Sequence, residues 1–128
     1  MKLERLDHFG IEVSDLTRAE RFYTDVLGLA VVARLGDQIL LDCGGQNLAL
    51  FQVERAPQSP EERRRRISHP LGSGHHAFRV SREDFLAARE RLGAAGVEVE
   101  SKPHNWGDHD CLYFLDPDGN LLEVVSYR

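Results

Sequence analysis

From Asp7 the chain alternates in polarity. "DHFGIEV" predicts a strand with His8, Gly10 and Glu12 on one face and Phe9, Ile11 and Val13 on the other. The period then changes. In "LTRAERFYTDVLG", Leu16, Ala19, Phe22, Tyr23 and Val26 recur at helical spacing, with Ser14 or Asp15 as cap and Gly28 as terminator. Three more strands are predicted in "LAVVARL", "QILLDCG" and "NLALFQV", separated by Gly36-Asp37 and Gly44-Gly45. The same order then returns. "HHAFRVS" predicts a strand with His75, Ala77 and Arg79 on one face and His76, Phe78 and Val80 behind. "REDFLAARERLGAAG" predicts a helix with Phe85, Leu86, Arg89 and Leu92 on one side, and "VEVES", "CLYFL" and "NLLEVVSY" predict three strands.

The return is a repeat in residues as well as in elements. "HFGIEVSD" falls on "HHAFRVSR" at a shift of 67, and "DCGGQNLALF" falls on "DPDGNLLEVV" at a shift of 74. The expected fold class is therefore α+β, built from two β-α-β-β-β modules. Module one spans residues 1–53, a linker 54–73 and module two 74–128. One such module leaves a sheet face bare, so two must join, within a chain or between chains. The linker "APQSPEERRRRISHPLGSG" carries Arg63 to Arg66 directly after Glu61-Glu62, and reads as a solvated, partly helical connector.

Length and charge narrow the function classes. The chain has 128 residues, enough for one domain, and a net charge of −5 with both signs interspersed, which argues against a nucleic-acid surface. No apolar run reaches the length of a membrane span, and "MKLERLDHFG" lacks the apolar segment of a signal peptide. Cys43 and Cys111 stand alone, so reduced thiols and a cytoplasmic location are expected. Exposed module edges suggest a homodimer.

The candidate chemistry lies where the repeat and the last hairpin meet. In "YFLDPDGNLLEVVS", Asp116-Pro117-Asp118-Gly119 suits a tight turn, and Glu123 sits among Leu121, Leu122, Val124 and Val125. A buried carboxylate needs a partner or a metal. His8 and His75 occupy equivalent places at the start of each module's first strand, and Gly10 and Ala77 beside them leave room for something bulky. Strand parity favours His75 over His76. Two imidazoles and one carboxylate are the facial set of mononuclear non-haem iron(II) sites, although manganese, zinc or nickel also accept such ligands. The counterpart of Glu123 in module one is Ala49, which leaves three protein ligands and open positions. Glu12 and Arg79, also repeat-related, are expected to pair. A plain four-residue loop would set Tyr113 opposite Leu122. A bulge at Gly119 would set it beside Glu123 instead, and that bulge is expected.

These residues resemble the vicinal oxygen chelate superfamily, also called the glyoxalase, bleomycin-resistance and dioxygenase superfamily. The resemblance covers nearly the whole chain outside the linker. It is carried by "LDHFGIEVSDLTRAERFYTDVLGL", "GHHAFRV" and "YFLDPDGNLLEVV". It implies paired modules forming an open, curved mixed sheet, a cup around a divalent metal, and metal ligands His8, His75 and Glu123. Within the superfamily the chain looks most like extradiol ring-cleaving dioxygenases. Their signature reads here as His104, "NWGDHDC", Leu112-Tyr113, "FL", Asp116-Pro117-Asp118-Gly119, "NLL", Glu123. Lys102 departs from it, and a second catalytic histidine has no match, since His69 lies at the wrong spacing. The resemblance makes Tyr113 and His104 the catalytic candidates, a small molecule with vicinal oxygens the substrate, and Fe2+ the favoured ion. Fosfomycin-resistance enzymes, which open an epoxide, come second, because Gly10 stands where they resemble a hydroxyl residue. A glyoxalase-like lyase would need a fourth ligand at Ala49. The rival class is a metal-free binding protein holding an aromatic ligand between Phe51, Trp106 and Tyr113.

Overall fold

The alternation from residue 8 becomes strand β1 (His8–Val13), with Ile11 and Val13 buried and His8, Gly10 and Glu12 exposed. The computed structural model describes residues 1–128, which divide into two compact units, Met1–Pro57 and Gln58–Arg128. The division falls inside the expected linker, so most of that segment belongs with the second unit.

In the first unit, Asp15 caps helix α1 (Leu16–Arg21) by accepting the Arg18 N–H at 2.9 Å. The last turns, Phe22–Val26, widen to a π-helix, and Leu27 N–H reaches back to the Phe22 carbonyl. Gly28, at φ 75°, ends the run. Strands β2 (Ala30–Leu35), β3 (Gln38–Cys43) and β4 (Gln46–Gln52) complete a four-stranded sheet in the order β1-β4-β3-β2, with β1 parallel to β4. Its core is Ile11, Val13, Ala19, Phe22, Tyr23, Ile39, Leu41, Leu48 and Leu50.

The second unit begins with the linker helix α2 (Pro60–Ser68), opened by a capping box between Ser59 and Glu62. It is not a freely solvated connector. Arg63 donates to Glu98 at 2.6 Å and to the carbonyls of Pro117 and Asp116 at 3.0 and 3.1 Å, so one residue of the arginine run is fastened to the hairpin turn. Ile67 packs on the cluster Cys111, Tyr113, Leu115 and Leu121. Strand β5 (His76–Arg79) leads to helix α3 (Arg82–Ala94), then β6 (His104–Asn105), β7 (His109–Leu115) and β8 (Leu121–Tyr127). The sheet order is β5-β8-β7-β6, with β5 parallel to β8, so each unit is a β-α-β-β-β module with a mixed sheet.

Two expectations are corrected. The buried stripe of α3 is Phe85, Ala88 and Leu92, whereas Leu86 is 69% exposed. The i, i+3, i+7 row points to the sheet and Leu86 stands a quarter-turn off it. "VEVES" does not form a regular strand. Val99 makes a single bridge to Phe114, flanked by Glu100 N–H to the Tyr113 carbonyl and Leu115 N–H to the Glu98 carbonyl. Pairing with β7 resumes at His104↔Cys111 after Ser101-Lys102-Pro103. The two pairings differ in register by two residues (99 and 114 sum to 213, 104 and 111 to 215), so the edge bulges there. Pro103 has no N–H to give to the ladder.

The candidate functional site

The repeat survives in three dimensions. Gly10 pairs with Ala49 in module one, and Ala77 pairs with Glu123 in module two. Each pair is the other's image under the shifts of 67 and 74. Glu123 thus stands on the central strand β8 beside the edge strand that follows His75, and the small Ala77 leaves its carboxylate reachable.

The hairpin brings Tyr113 to the same place. Tyr113 and Glu123 are direct partners in the β7–β8 ladder. The Asp116 carboxylate organises the turn. Oδ1 accepts the N–H groups of Asp118 and Asn120 at 2.9 and 2.8 Å, and Oδ2 accepts the Asn120 side chain at 2.8 Å. Gly119, at φ 81°, adds the extra residue that shifts the register, which is the bulge expected from the sequence. Glu100 lies opposite Tyr113 on the other side. One face of the second sheet therefore carries a row from Ala77 through Glu123 and Tyr113 to Glu100, in which the last three are buried.

Along that row the polar contacts are short. His75 Nε2 lies 2.8 Å from Glu123 Oε2. The other ring nitrogen, Nδ1, is 2.8 Å from the Ser73 carbonyl, so it carries the proton and donates. Nε2 of a neutral His75 then faces a carboxylate with its lone pair. Two acceptors at that spacing need a positive charge between or beside them, either a second ring proton or a cation. Adjacent ligands on one ion, with bonds of about 2.1 Å at a right angle, lie about 3 Å apart. The spacing and the donor set both fit a divalent metal. In the other unit His8 is built alike: its Nδ1 is 2.8 Å from Asp7 Oδ1, which leaves Nε2 outward. The Asp7 carboxyl is held below its ordinary range, first by that hydrogen bond. Neither unit by itself gathers three metal-ligating side chains.

Tyr113 packs its ring edge-on to His75, with centroids 5.2 Å apart, and to His104 at 5.9 Å. Burial, then the Glu123 charge, pushes its hydroxyl well above the ordinary phenol range, so it stays an O–H donor at neutral pH. Burial likewise raises the Cys111 thiol to about 11, and Trp106 Nε1–H donates to its sulfur at 3.3 Å. His104 Nε2 meets Glu100 Oε2 at 2.8 Å, and Glu100 Oε1 accepts the Tyr113 backbone N–H at 2.8 Å. Trp106 stacks on the His104 ring, 6.2 Å between centroids and 20° between planes. Of the residues singled out in the sequence, His75, Glu123, Tyr113 and His104 thus meet within the second unit, and His8 lies in the first.

Glu100 is not marked in the sequence. Its parity in "VEVES" reads as the wet face of an edge strand, and only its place opposite Tyr113, under His104, shows that face to be covered. The space expected beside His8 is also filled, since a Cβ on Gly10 would meet the Phe51 ring at 2.9 Å. Glu12 and Arg79, expected to pair, belong to different units; within its own unit the Arg79 guanidinium lies over the Tyr127 ring at 5.2 Å.

Paired β-α-β-β-β modules, with imidazole and carboxylate groups presented by repeat-related strands, define the vicinal oxygen chelate class of fold. The sequence profile of the Glyoxalase/Bleomycin resistance protein/Dioxygenase superfamily matches residues 5–124, and the chain belongs to that superfamily. It is 34% identical over 122 residues to the glutathione transferase FosA of Serratia marcescens, covering 95% of this chain and 80% of that one. It is 33% identical over 120 residues to metapyrocatechase 2 of Cupriavidus necator, covering 93% of this chain but only 32% of that protein. Among solved structures, lactoylglutathione lyase from Agrobacterium tumefaciens matches with a TM-score of 0.73 at 28% identity, over 98% of this chain and 96% of the other. No helix is long and apolar enough to cross a membrane.

Proposed function

We propose that the protein is a divalent-metal-dependent enzyme acting on a small molecule with two adjacent oxygens, and that its reaction is ring cleavage of the extradiol type. His75 and Glu123 hold the ion together with His8, in this chain or in a homodimer. The observation that carries the reading is His75 Nε2 facing Glu123 Oε2 at 2.8 Å, with Nδ1 already committed to a carbonyl. When bound, the ion, Fe2+ for this chemistry, supplies Lewis-acid polarisation of the two oxygens and a site for dioxygen. The chain's residues do the rest. Tyr113, a neutral phenol beside Glu123, donates a hydrogen bond to a substrate oxygen that gains charge. His104, held by Glu100 and Trp106 next to Tyr113, takes a proton from a substrate hydroxyl. Trp106, half exposed, offers an aromatic surface to a flat substrate.

A second reading is supported by coverage. The similarity to the glutathione transferase FosA spans most of both chains, whereas that to metapyrocatechase 2 spans a third of the latter. In that reading the same residues polarise an electrophile, such as an epoxide, for attack by a thiol, and Tyr113 supports the oxygen that is released.

Elemental analysis of freshly purified protein comes first. About one divalent ion per site is expected, and metal-free protein would leave the aromatic-binding alternative standing. Oxygen uptake by anaerobically prepared, iron-loaded protein with a panel of catechols then tests ring cleavage. Glutathione-dependent loss of fosfomycin with manganese-loaded protein tests the second reading. Fosfomycin turnover without oxygen uptake would overturn the first.

A further inference from the structure

Glu100 belongs to neither ligand set nor signature, yet it is 7% exposed and both its oxygens are engaged. Oε1 accepts from the Tyr113 backbone N–H and Oε2 meets His104 Nε2, each at 2.8 Å. An ionised carboxylate only accepts, so the proton in the second contact sits on His104 Nε2. The ring is confined on its other sides as well: Trp106 stacks on one face and the Tyr113 ring meets it at 74°. The nitrogen left without a protein partner is Nδ1.

We infer that Glu100 is the positioning residue of the site: it holds neutral His104 as the Nε2–H tautomer, so that Nδ1 carries the lone pair that receives the substrate proton. Because the same carboxylate grips the backbone of Tyr113, it also fixes the spacing between the proton acceptor and the phenol donor. The proton taken at Nδ1 gives an imidazolium whose Nε2–H still points at Glu100, which stabilises that charge where it forms. The role of His104 rests on the reading proposed above, whereas the tautomer does not.

The design makes a sharp test. An amide can accept at one end and must donate at the other. In Glu100→Gln the Tyr113 N–H, a fixed donor, takes the amide oxygen, and the amide NH2 then faces His104 Nε2. The ring can answer only by moving its proton to Nδ1. Long-range 1H–15N correlation spectra of 15N-labelled full-length protein at pH 8, where an ordinary imidazole is neutral, read the two nitrogens separately. His104→Gln identifies the resonances by their loss.

The expected result is a protonated Nε2 in the wild type and a protonated Nδ1 in Glu100→Gln, with unchanged metal content. A wild-type ring protonated at Nδ1 overturns the inference, as does a Glu100→Gln ring still protonated at Nε2. If the variant does not fold, the wild-type spectrum alone decides. Failure of the metal reading, seen as no ion in wild-type protein, leaves the tautomer result intact, and failure of the tautomer leaves the metal assay intact. With a turned-over substrate, Glu100→Gln lowers kcat about tenfold or more while KM stays within about twofold, and Glu100→Asp recovers part of the loss.

Discussion

The two modules share a plan and differ in what they bury. Module one covers its sheet with aliphatic and aromatic side chains. Every buried polar or charged residue of the chain (Glu100, Asp110, Asp116, Asp118, Glu123 and Ser126) lies in module two. Equivalent positions make the contrast plain: Ala49 against Glu123, Leu40 beside Ala49 against Tyr113 beside Glu123, and exposed Asp42 against buried Asp116. A carboxylate withdrawn from water must be met by hydrogen bonds or positive charge. Module two meets this need with backbone N–H groups at Asp116, with Arg82 and Arg128 at Asp110, and with two histidines at Glu100 and Glu123. The same frame thus carries an apolar core in one half and buried polar groups in the other.

The largest effect expected from this contrast concerns metal. Glu123→Ala, which makes module two resemble module one at that position, should lose nearly all bound ion, and His75→Ala and His8→Ala should each lower metal affinity at least tenfold. Metal content of all three matching the wild type would remove the site. Tyr113→Phe comes next. It should keep the metal and the fold and lose about a hundredfold in kcat once a substrate is found, whereas Leu40→Val at the matching place in module one should leave kcat alone. On stability, Asp116→Ala strips three donors of their acceptor and should cost about 3 kcal/mol in urea unfolding, at about 1 kcal/mol for each bond. Asp42→Ala removes one exposed contact, to Gly45 N–H at 3.2 Å, and should cost about 0.5 kcal/mol. Equal costs would dissolve the distinction between the modules.

The remaining effects are in pH. The Asp110 carboxyl is held below its ordinary range, first by its hydrogen bond to Arg82 and then by Arg128 against the opposing effect of burial. Its contribution is present above the unfolded value of about 3.9 and is lost as pH falls through the lower folded one, so Asp110→Asn should flatten the acid limb of thermal stability. The Cys111 thiol has the opposite sign. Burial raises it from 9.0 to about 11, so the unfolded chain ionises first and stability declines as pH climbs between those values. Cys111→Ala should remove that decline, measured as the melting temperature across the window.

How much of this could be read in the sequence depended on whether a residue's setting was local. Strand parity placed His75 and Glu123, because alternation and the repeat are properties of short segments. The first helix's ends were legible at Asp15 and Gly28 for the same reason. The Tyr113–Glu123 pairing followed from turn chemistry and one glycine. What escaped was non-local. Arg63 looked like any other residue of a charged run, and only Glu98 and the carbonyls of the distant Asp116-Pro117 turn give its guanidinium partners. Glu100 escaped because an edge strand's wet and covered faces look alike until the groups across it, here Tyr113 and His104, are known. Gly10 marked a small residue but not Phe51, whose ring takes the space.

The bulge at Gly119 has a further meaning. Side chains on a strand change sides with every residue, so the parity of the loop, and not its composition, decides which half of β7 looks toward Glu123. Deleting one residue there would turn Tyr113 into the layer beneath α3 and bring the now buried Leu112 and Phe114 to the face that carries Glu123. Gly119 is guarded by its φ of 81°, which side chains rarely adopt; the Gln58 amide that an added Cβ would meet at 2.0 Å is the end of a flexible side chain and can move aside. Loop length at this hairpin therefore decides, in single-residue steps, which side chains of β7 share a face with Glu123.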